Sequence, residues 1–512
     1  MKYKYASLLL CFAMAVTLHV VGGCKKKKKI YEKYPWVVTQ TTKTSVGRDP
    51  YTGTNPETGK VYRFDNEGIM VWEASQGAKC HALGVGPDGC VITAGTFVGT
   101  ASFGNTPVID LTDPYGGIYQ ASYDCNGSFQ WVKKTAACHG GTSEIRVSDL
   151  CILPDGRIVL TGPFVTTVTF SEGLQNETTL SGAVNTAWDY YLAMFGTDGE
   201  LQWARFDGPL YLGYGGIGGA KSSAIALHGN SIAVSGDFLG EATFGNGSAN
   251  QVDISEGSGI FLANYGFDGT FNWVKTTFGN AYECCFFAND IDSCSNNSTV
   301  MAGRFFDKNA WPDLVDFIFG ENEPNETIIS QETKGDIFAA KYASDGLLEW
   351  AVQTYGAENS SMSSIGLYPL EIATAWDGSF FAAGSFGGII VFDPANAAGT
   401  RVESLNKSTM VIARYLGDGS FDWVRTLQSD CASITYSIDI TPDNCAVVLG
   451  ACAESAVAGP GEPTETLLTG GYFIAKYNAD GTLAWARELP GEDFFDKVKV
   501  AEDGSIFLTS WK

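Results

Sequence analysis

An all-β fold is expected from three observations on the 512-residue chain. A tryptophan that follows a Gly turn recurs seven times, at Trp72, Trp131, Trp203, Trp273, Trp350, Trp423 and Trp485. Around each copy lie four short segments rich in apolar, aromatic or β-branched residues; in the last copy they are Tyr472–Tyr477, Leu483–Glu488, Lys497–Ala501 and Ser505–Thr509, separated by turns such as Asp480-Gly481 and Asp503-Gly504. The chain also begins in the middle of a unit, with third and fourth segments (Lys60–Phe64 and Ile69–Glu73), and ends with first and second ones (Lys497–Ala501 and Ser505–Trp511). A four-strand unit repeated at a fixed period signals radial assembly. The expected architecture is a seven-bladed β-propeller of four-stranded antiparallel blades, closed by pairing of N-terminal and C-terminal strands in one shared blade, so that no sheet edge stays open.

The third and fourth strands follow from the segments before each tryptophan: YRFDNEG, YQASYDCNG, YLAMFGTDG, FLANYGFDG, FAAKYASDG, VIARYLGDG and FIAKYNADG. In the last of these, Phe473, Ala475 and Tyr477 alternate with Tyr472, Ile474 and Lys476, so both faces carry apolar bulk and each sheet is expected to be sandwiched between neighbours. The tryptophans are expected to fill that space between sheets rather than to stack on sugars. The first and second strands come from ALGVGPDGCVITAGTF, DLCILPDGRIVLTGPF, AIALHGNSIAVSGDF, EIATAWDGSFFAAGSF and SIDITPDNCAVVLGAC. Several units then close on a Phe-Gly, as in Phe103-Gly104, Phe244-Gly245 and Phe319-Gly320. The cycle G-x-F, FG, FxAKYxxDGxLxWA resembles the bacterial SBBP-type β-propeller repeat over residues 62–512. That resemblance implies a repetitive extracytoplasmic protein, and supplies a fold without catalytic residues.

Residues 1–23 combine a short basic start (Lys2, Lys4), an apolar run from Ala6 to Val21 and small residues before Cys24. This reads as a lipoprotein signal peptide, with Cys24 acylated, by palmitate among others, to anchor the chain in a bacterial outer membrane on its periplasmic or cell-surface side. The alternative is an uncleaved helix, which Lys25–Lys29 would favour under the positive-inside tendency. Residues 24–59 read as a flexible tether, with Lys25–Lys29 either meeting anionic headgroups or serving as a solvated spacer, and residues 60–512 as the propeller.

Net charge is −24, and setting aside the seven lysines of residues 1–29 leaves 26 basic against 57 acidic side chains. Nucleic acid is therefore excluded as an expected partner, and the acidity reads as a surface kept soluble by charge. Thirteen cysteines, eleven of them in the propeller, suit an oxidising compartment and show no zinc spacing. Cys80, Cys138, Cys284 and Cys431 share one place after the blade tryptophan, where bridges could tie down the connections.

Catalytic chemistry is thinly supplied. His81, His139 and His228 fall in separate units, so no histidine cluster or Ser-His-Asp triad is indicated. Gly213-x-Gly215-x-x-Gly218 lies between strands with no helix to hold phosphates. The Asp-Gly turns lack the ladder of a calcium loop, and no spacing singles out a carboxylate pair for glycoside hydrolysis. No cofactor or metal is expected. The alternative reading is a periplasmic enzyme, quinone-dependent or carbohydrate-active: the DG-x-L-x-W strands also resemble quinone-cofactor dehydrogenase blades, and Cys284-Cys285 is similar to their vicinal disulfide.

Because a meander alternates direction, the tight Asp-Gly turns should clip one end of the strands short. The long connections, about Gly99–Gly117, Thr166–Trp188, Gly240–Gly259, Phe306–Gly335, Gly387–Ser408 and Ala451–Gly471, should gather as irregular loops at the other end with the blade-to-blade links. Exposed-looking residues there are Tyr211, Tyr214, Tyr282, Trp311, Tyr355, Tyr368, Tyr436, Asp493 and Phe494, candidates for contact with a glycan or protein ligand, or else for plugging the tunnel. The expectation is a monomeric binding or scaffolding module.

Overall fold

The computed structural model describes residues 58–512 except 141–142, 183–187, 209–218, 255–256, 279–283, 308–315, 331–335, 357–369, 394–399, 430 and 492, and leaves undescribed the side chains of 219–222, 258, 284–286, 306–307, 355–356 and 405–407. Pro56–Lys512 forms one compact unit. Its elements are β-strands, and the fold is all-β.

The strands follow the expected meander. In the sixth repeat Ser433–Ile440, Ala446–Cys452, Gly471–Tyr477 and Leu483–Glu488 lie in that order in one antiparallel sheet. The chain ends share a sheet too, ordered Met70–Gln76, Gly59–Phe64, Ile506–Trp511, Phe494–Val500. There Tyr62 pairs with Leu508 and Val61 with Thr509, and the Lys512 N–H donates to the Thr58 carbonyl at 2.8 Å.

Apolar residues on both faces of each sheet bury against the sheets before and after. One cluster joins Val159, Leu192 and Met194 of the second repeat to Ile225, Val234 and Phe261 of the third; another joins Phe381 and Ile412 of the fifth to Val448 and Phe473 of the sixth. Val61 and Phe507 of the terminal sheet pack with Val91 and Tyr119 of the first repeat, and Phe495 meets Tyr472 of the sixth at 5.5 Å. Neighbouring sheets are thus glued by side chains worth about 1.5–3 kcal/mol each when fully buried.

The repeated tryptophan has a second job. Its indole lies over the positive-φ glycine of the next repeat's short turn, so closely that a Cβ on Gly127 would sit 2.7 Å from Trp72, and one on Gly481 2.9 Å from Trp423. The same holds for Gly199 on Trp131, Gly269 on Trp203, Gly346 on Trp273, Gly419 on Trp350 and Gly68 on Trp485. In five of these pairs the indole Nε1 also donates to a carbonyl of that turn, as from Trp72 to Cys125 at 3.0 Å and from Trp485 to Asn66 at 3.0 Å. Glycine is needed twice over, for its left-handed φ and for the absent side chain.

The long connections differ from the sequence expectation: within the described residues they are ordered β-hairpins, not irregular loops. Thr167–Phe170 pairs with Thr178–Ser181, Ala242–Phe244 with Val252–Ile254, Asp316–Phe319 with Thr327–Ser330, and Ala456–Ala458 with Thr466–Leu468. In the first and fifth repeats the second and third strands simply continue past a bulge, at Phe97/Gly99 and Phe386/Gly388. The hairpins dock on the preceding repeat's fourth strand or just beyond it: Val168 pairs with Cys138, Thr243 with Gly208, Val391 with Tyr355 and Val457 with Gln428. An alternating Phe-Gly segment reads as loop in isolation, but here it has a strand edge to join and buries Phe170, Phe244 and Phe319.

Candidate functional site

The first strands of the repeats converge on a common axis. Ala82–Val85 touches Asp149–Ile152, which touches Gly219–His228, then Cys284–Ser293, Glu371–Thr374, Ser433–Ile440 and Phe494–Val500, and this last strand touches Ala82–Val85. All seven line a cavity of about 190 Å³. Its walls carry Asp149, Asp290, Asp292, Glu371 and Asp439, together with Lys497 and Lys499 from the last strand.

The carboxylates have a backbone task. First strands do not ladder with one another, so their inner N–H groups need other acceptors. Asp149 Oδ2 accepts from the Ile225 N–H at 3.2 Å, Asp290 from Ile372 at 2.9 Å, Asp292 from Thr374 at 2.7 Å and Asp439 from Val500 at 2.7 Å. The other oxygen of each caps the N–H of the residue following it, as Asp290 Oδ1 does for Ile291 at 2.9 Å. Each acid therefore staples its strand to the first strand of the next repeat.

The electrostatics follow from this crowding. Burial raises the Asp290 carboxyl well above its ordinary value, with Glu371 adding to it, and burial likewise raises Asp292 and Glu371. Lys499 is held charged above its usual range mainly by Asp439. For Lys497 burial pulls the other way, but Glu371, Asp149 and Asp290 outweigh it, and its Nζ lies 3.3 Å from Glu371. Both members of that pair keep some side-chain surface, 26% and 20%, because they face the cavity. The two cations on the strand Phe494–Val500 offset acids contributed by other repeats.

Of the residues singled out in the sequence, Cys24, Tyr211, Tyr214, Tyr282, Trp311 and Tyr368 lie outside the described residues, as does Gly213-x-Gly215-x-x-Gly218. Tyr355 is the next-to-last residue of the strand Leu348–Gly356, with its side chain undescribed. Tyr436 is half-buried with its ring 5.4 Å from Tyr472, and burial raises its hydroxyl. Phe494 opens the last first strand and stacks on Trp511 at 4.7 Å. Asp493 looked exposed in sequence but is only 8% accessible; its carboxylate accepts from the Tyr62 hydroxyl at 2.8 Å and lies 3.5 Å from Lys60 Nζ. It immediately precedes the strand Phe494–Val500 and is held against Tyr62 and Lys60 of the terminal sheet.

The histidines stay apart. Burial lowers His81 to about 4, and His228 sits edge-on to Trp273 with Nδ1 2.7 Å from Thr299 Oγ1. Cys80 and Cys138 are buried thiols, not bridges, each pushed up to about 12 by burial. Among the described residues no group of three or more His, Cys, Asp or Glu is arranged to hold a metal ion.

Sequence reading missed the stapling acids, although an acid recurs at matching first-strand places in DLCIL, NDIDS and SIDIT. It missed the hairpin tip as well. Asn325 Nδ2 donates to the Leu348 carbonyl at 3.0 Å and Asn250 Nδ2 to Phe271 at 3.1 Å, while Glu177, Glu326 and Glu465 each accept a tip N–H; the repeated Glu-Thr pair was the signal. Two exposed aromatics also went unremarked. Tyr115 is 57% accessible on the first hairpin, and Trp376 is 61% accessible on a short turn at the opposite end.

No family model matches the chain, and no curated protein does. Among solved structures it is similar to the Dos1 propeller, at 9% identity and a TM-score of 0.34, covering 88% of this chain and 94% of that one. It is also similar to a protein of unknown function from Bacteroides caccae, at 9% identity and a TM-score of 0.24, covering 58% of this chain and 89% of the other. Both overlaps are loose, and the architecture rests on the strand pairing itself.

Proposed function

We infer that the chain is a closed, seven-bladed β-propeller of SBBP type, anchored to a bacterial outer membrane through acylated Cys24 and serving as a binding or scaffolding module for a glycan or protein ligand. Ring closure is supported by the pairing of Gly59–Phe64 with Ile506–Trp511 and by the contact of Phe494–Val500 with Ala82–Val85. The observation that carries the binding role is the division of labour between the ends of the strands. The axial acids are engaged with neighbouring backbone, whereas the hairpin end varies from repeat to repeat and presents Tyr115 on a rigid support.

The test is a glycan array and a cell-envelope pull-down with full-length protein, in wild-type, Tyr115→Ala and Trp376→Ala forms. The expected result is binding that Tyr115→Ala weakens at unchanged unfolding temperature and Trp376→Ala leaves intact. Binding lost only with Trp376→Ala would move the site to the short-turn end. Labelled palmitate incorporated by the wild type and not by Cys24→Ser checks the anchor.

A further inference from the structure

We propose that Cys90 and Cys125 form a redox-controlled disulfide that clamps the two short turns of the first repeat on which the terminal sheet is anchored. Val91 pairs with Tyr123, so Cys90 and the Asp124-Cys125 turn leave the same ladder side by side. A Cβ placed on Gly89 would lie 3.4 Å from the Cys125 Cβ, which puts the two turns at side-chain contact next to Cys90. Bridged cysteines need Cβ atoms about 3.5–4.5 Å apart, and the two side chains here are near enough that the Cys125 charge acts on the Cys90 thiol. Both thiols are unbridged and partly accessible.

The sixth repeat supplies an internal comparison. Cys445 holds the place of Cys90, and its Sγ reaches the Asn478 carboxamide oxygen at 3.7 Å, Asn478 holding the place of Asp124. A sulfur on the first of these turns therefore projects over the second. Ala479 follows Asn478 there, where the first repeat has Cys125. Of the six repeats with both turns in one stretch of chain, the first carries sulfur at both places.

The consequence is local. The Cys125 carbonyl accepts from Trp72 Nε1 at 3.0 Å and from Arg63 Nη1 at 2.7 Å, both from the terminal sheet. Fixing Cys125 to Cys90 fixes that acceptor. The oxidant is a low-molecular-weight disulfide such as glutathione disulfide. One cysteine thiolate attacks it and releases one glutathione thiol; the second then attacks the mixed disulfide and releases the other. The protein loses two electrons and two protons, which leave as two thiols.

The experiment treats the full chain with glutathione disulfide, quenches with acid, alkylates in denaturant with N-ethylmaleimide and maps peptides without reduction. The expected product links the Cys90 and Cys125 peptides, and unfolds at a higher temperature than the reduced protein. In Cys90→Ser, Cys125 should be recovered as a glutathione adduct or alkylated, with no thermal difference between redox states. Recovery of both wild-type residues as alkylated thiols, or each bridged elsewhere, overturns the proposal. A Cys90–Cys125 link without a thermal shift overturns the clamp.

Discussion

At the axis, backbone N–H groups of one first strand are met by carboxylates of its neighbour, as Val500 is by Asp439. At the rim, the fourth strands are met instead by backbone, as Cys138 is by Val168 of the next hairpin. The seven first strands touch around a cavity of about 190 Å³ without laddering with one another, and acid side chains reach across in place of a ladder. At the rim a hairpin of the next repeat adds to the edge of the fourth strand and extends its sheet. Charge inside this molecule is thus a means of construction.

The sharpest way to break that comparison is to remove its seam. Deleting Ile506–Lys512 removes the strand with which Gly59–Phe64 and Phe494–Val500 both pair, and exposes the space filled by Ile506, Phe507 and Leu508, all at most 1% accessible. Those three side chains alone represent roughly 6 kcal/mol, a large share of the 5–15 kcal/mol that holds a typical domain. Loss of cooperative thermal unfolding, followed by near-UV circular dichroism, is the expected result. A truncated protein that melts like the wild type would mean that the terminal pairing contributes little.

A smaller change separates axis from rim directly. Lys497→Met leaves Glu371 without the cation that lies 3.3 Å from it, at a cost of about 3 kcal/mol for a broken, largely buried pair. Lys133→Met removes a partner of Glu200 in an exposed pair, worth under about 1 kcal/mol. Urea midpoints of the two variants should differ clearly, and equal midpoints would show that the axial charges are dispensable.

These contrasts also mark what was legible in the sequence. The tryptophans, Asp-Gly turns and half-units at either end were readable because each is a local pattern of residue type and spacing. That the next repeat's glycine lies under each indole was not readable, since Gly481 and Trp423 are joined only through packing between repeats. The hairpins were missed because a docked strand gains its partner from another repeat. Asp149, Asp292 and Asp439 looked like ordinary acids near turns, because their acceptor role depends on a neighbouring strand that spacing alone does not place.

The glycines allow a finer comparison between the ends. Gly127 and Gly99 have nearly the same left-handed φ, +80° and +77°, but a Cβ on Gly127 would strike Trp72 whereas one on Gly99 meets nothing within 4 Å. Alanine costs about 1 kcal/mol of backbone strain at either. At Gly127 overpacking adds about 1–3 kcal/mol. Denaturant titration of the two variants should show that excess; equal losses would mean that the indole yields freely.

The smallest expected effect concerns pH, and its sign follows from the two sets of acids. Asp290, Asp292 and Glu371 have raised folded-state values, so above the ordinary carboxyl value of 3.8 or 4.5 the folded protein keeps protons that the unfolded chain has shed. Stability from this source falls as pH rises from there through the raised values. Turn acids such as Asp418 and Asp480 are lowered by the hydroxyl and N–H groups they accept from, and their contribution is lost as pH drops below 3.8 through their folded values. The urea midpoint should therefore peak in mildly acidic buffer and decline toward pH 8. Asp290→Asn keeps its one carboxamide oxygen for the Ile372 N–H, gives up the acceptor that the Ile291 N–H uses and carries no charge, so it should lower the midpoint overall but flatten the decline above the peak and leave the acid limb in place. A midpoint that climbs steadily to pH 8 would mean that water in the cavity screens the axial carboxylates as fully as it does those on the rim.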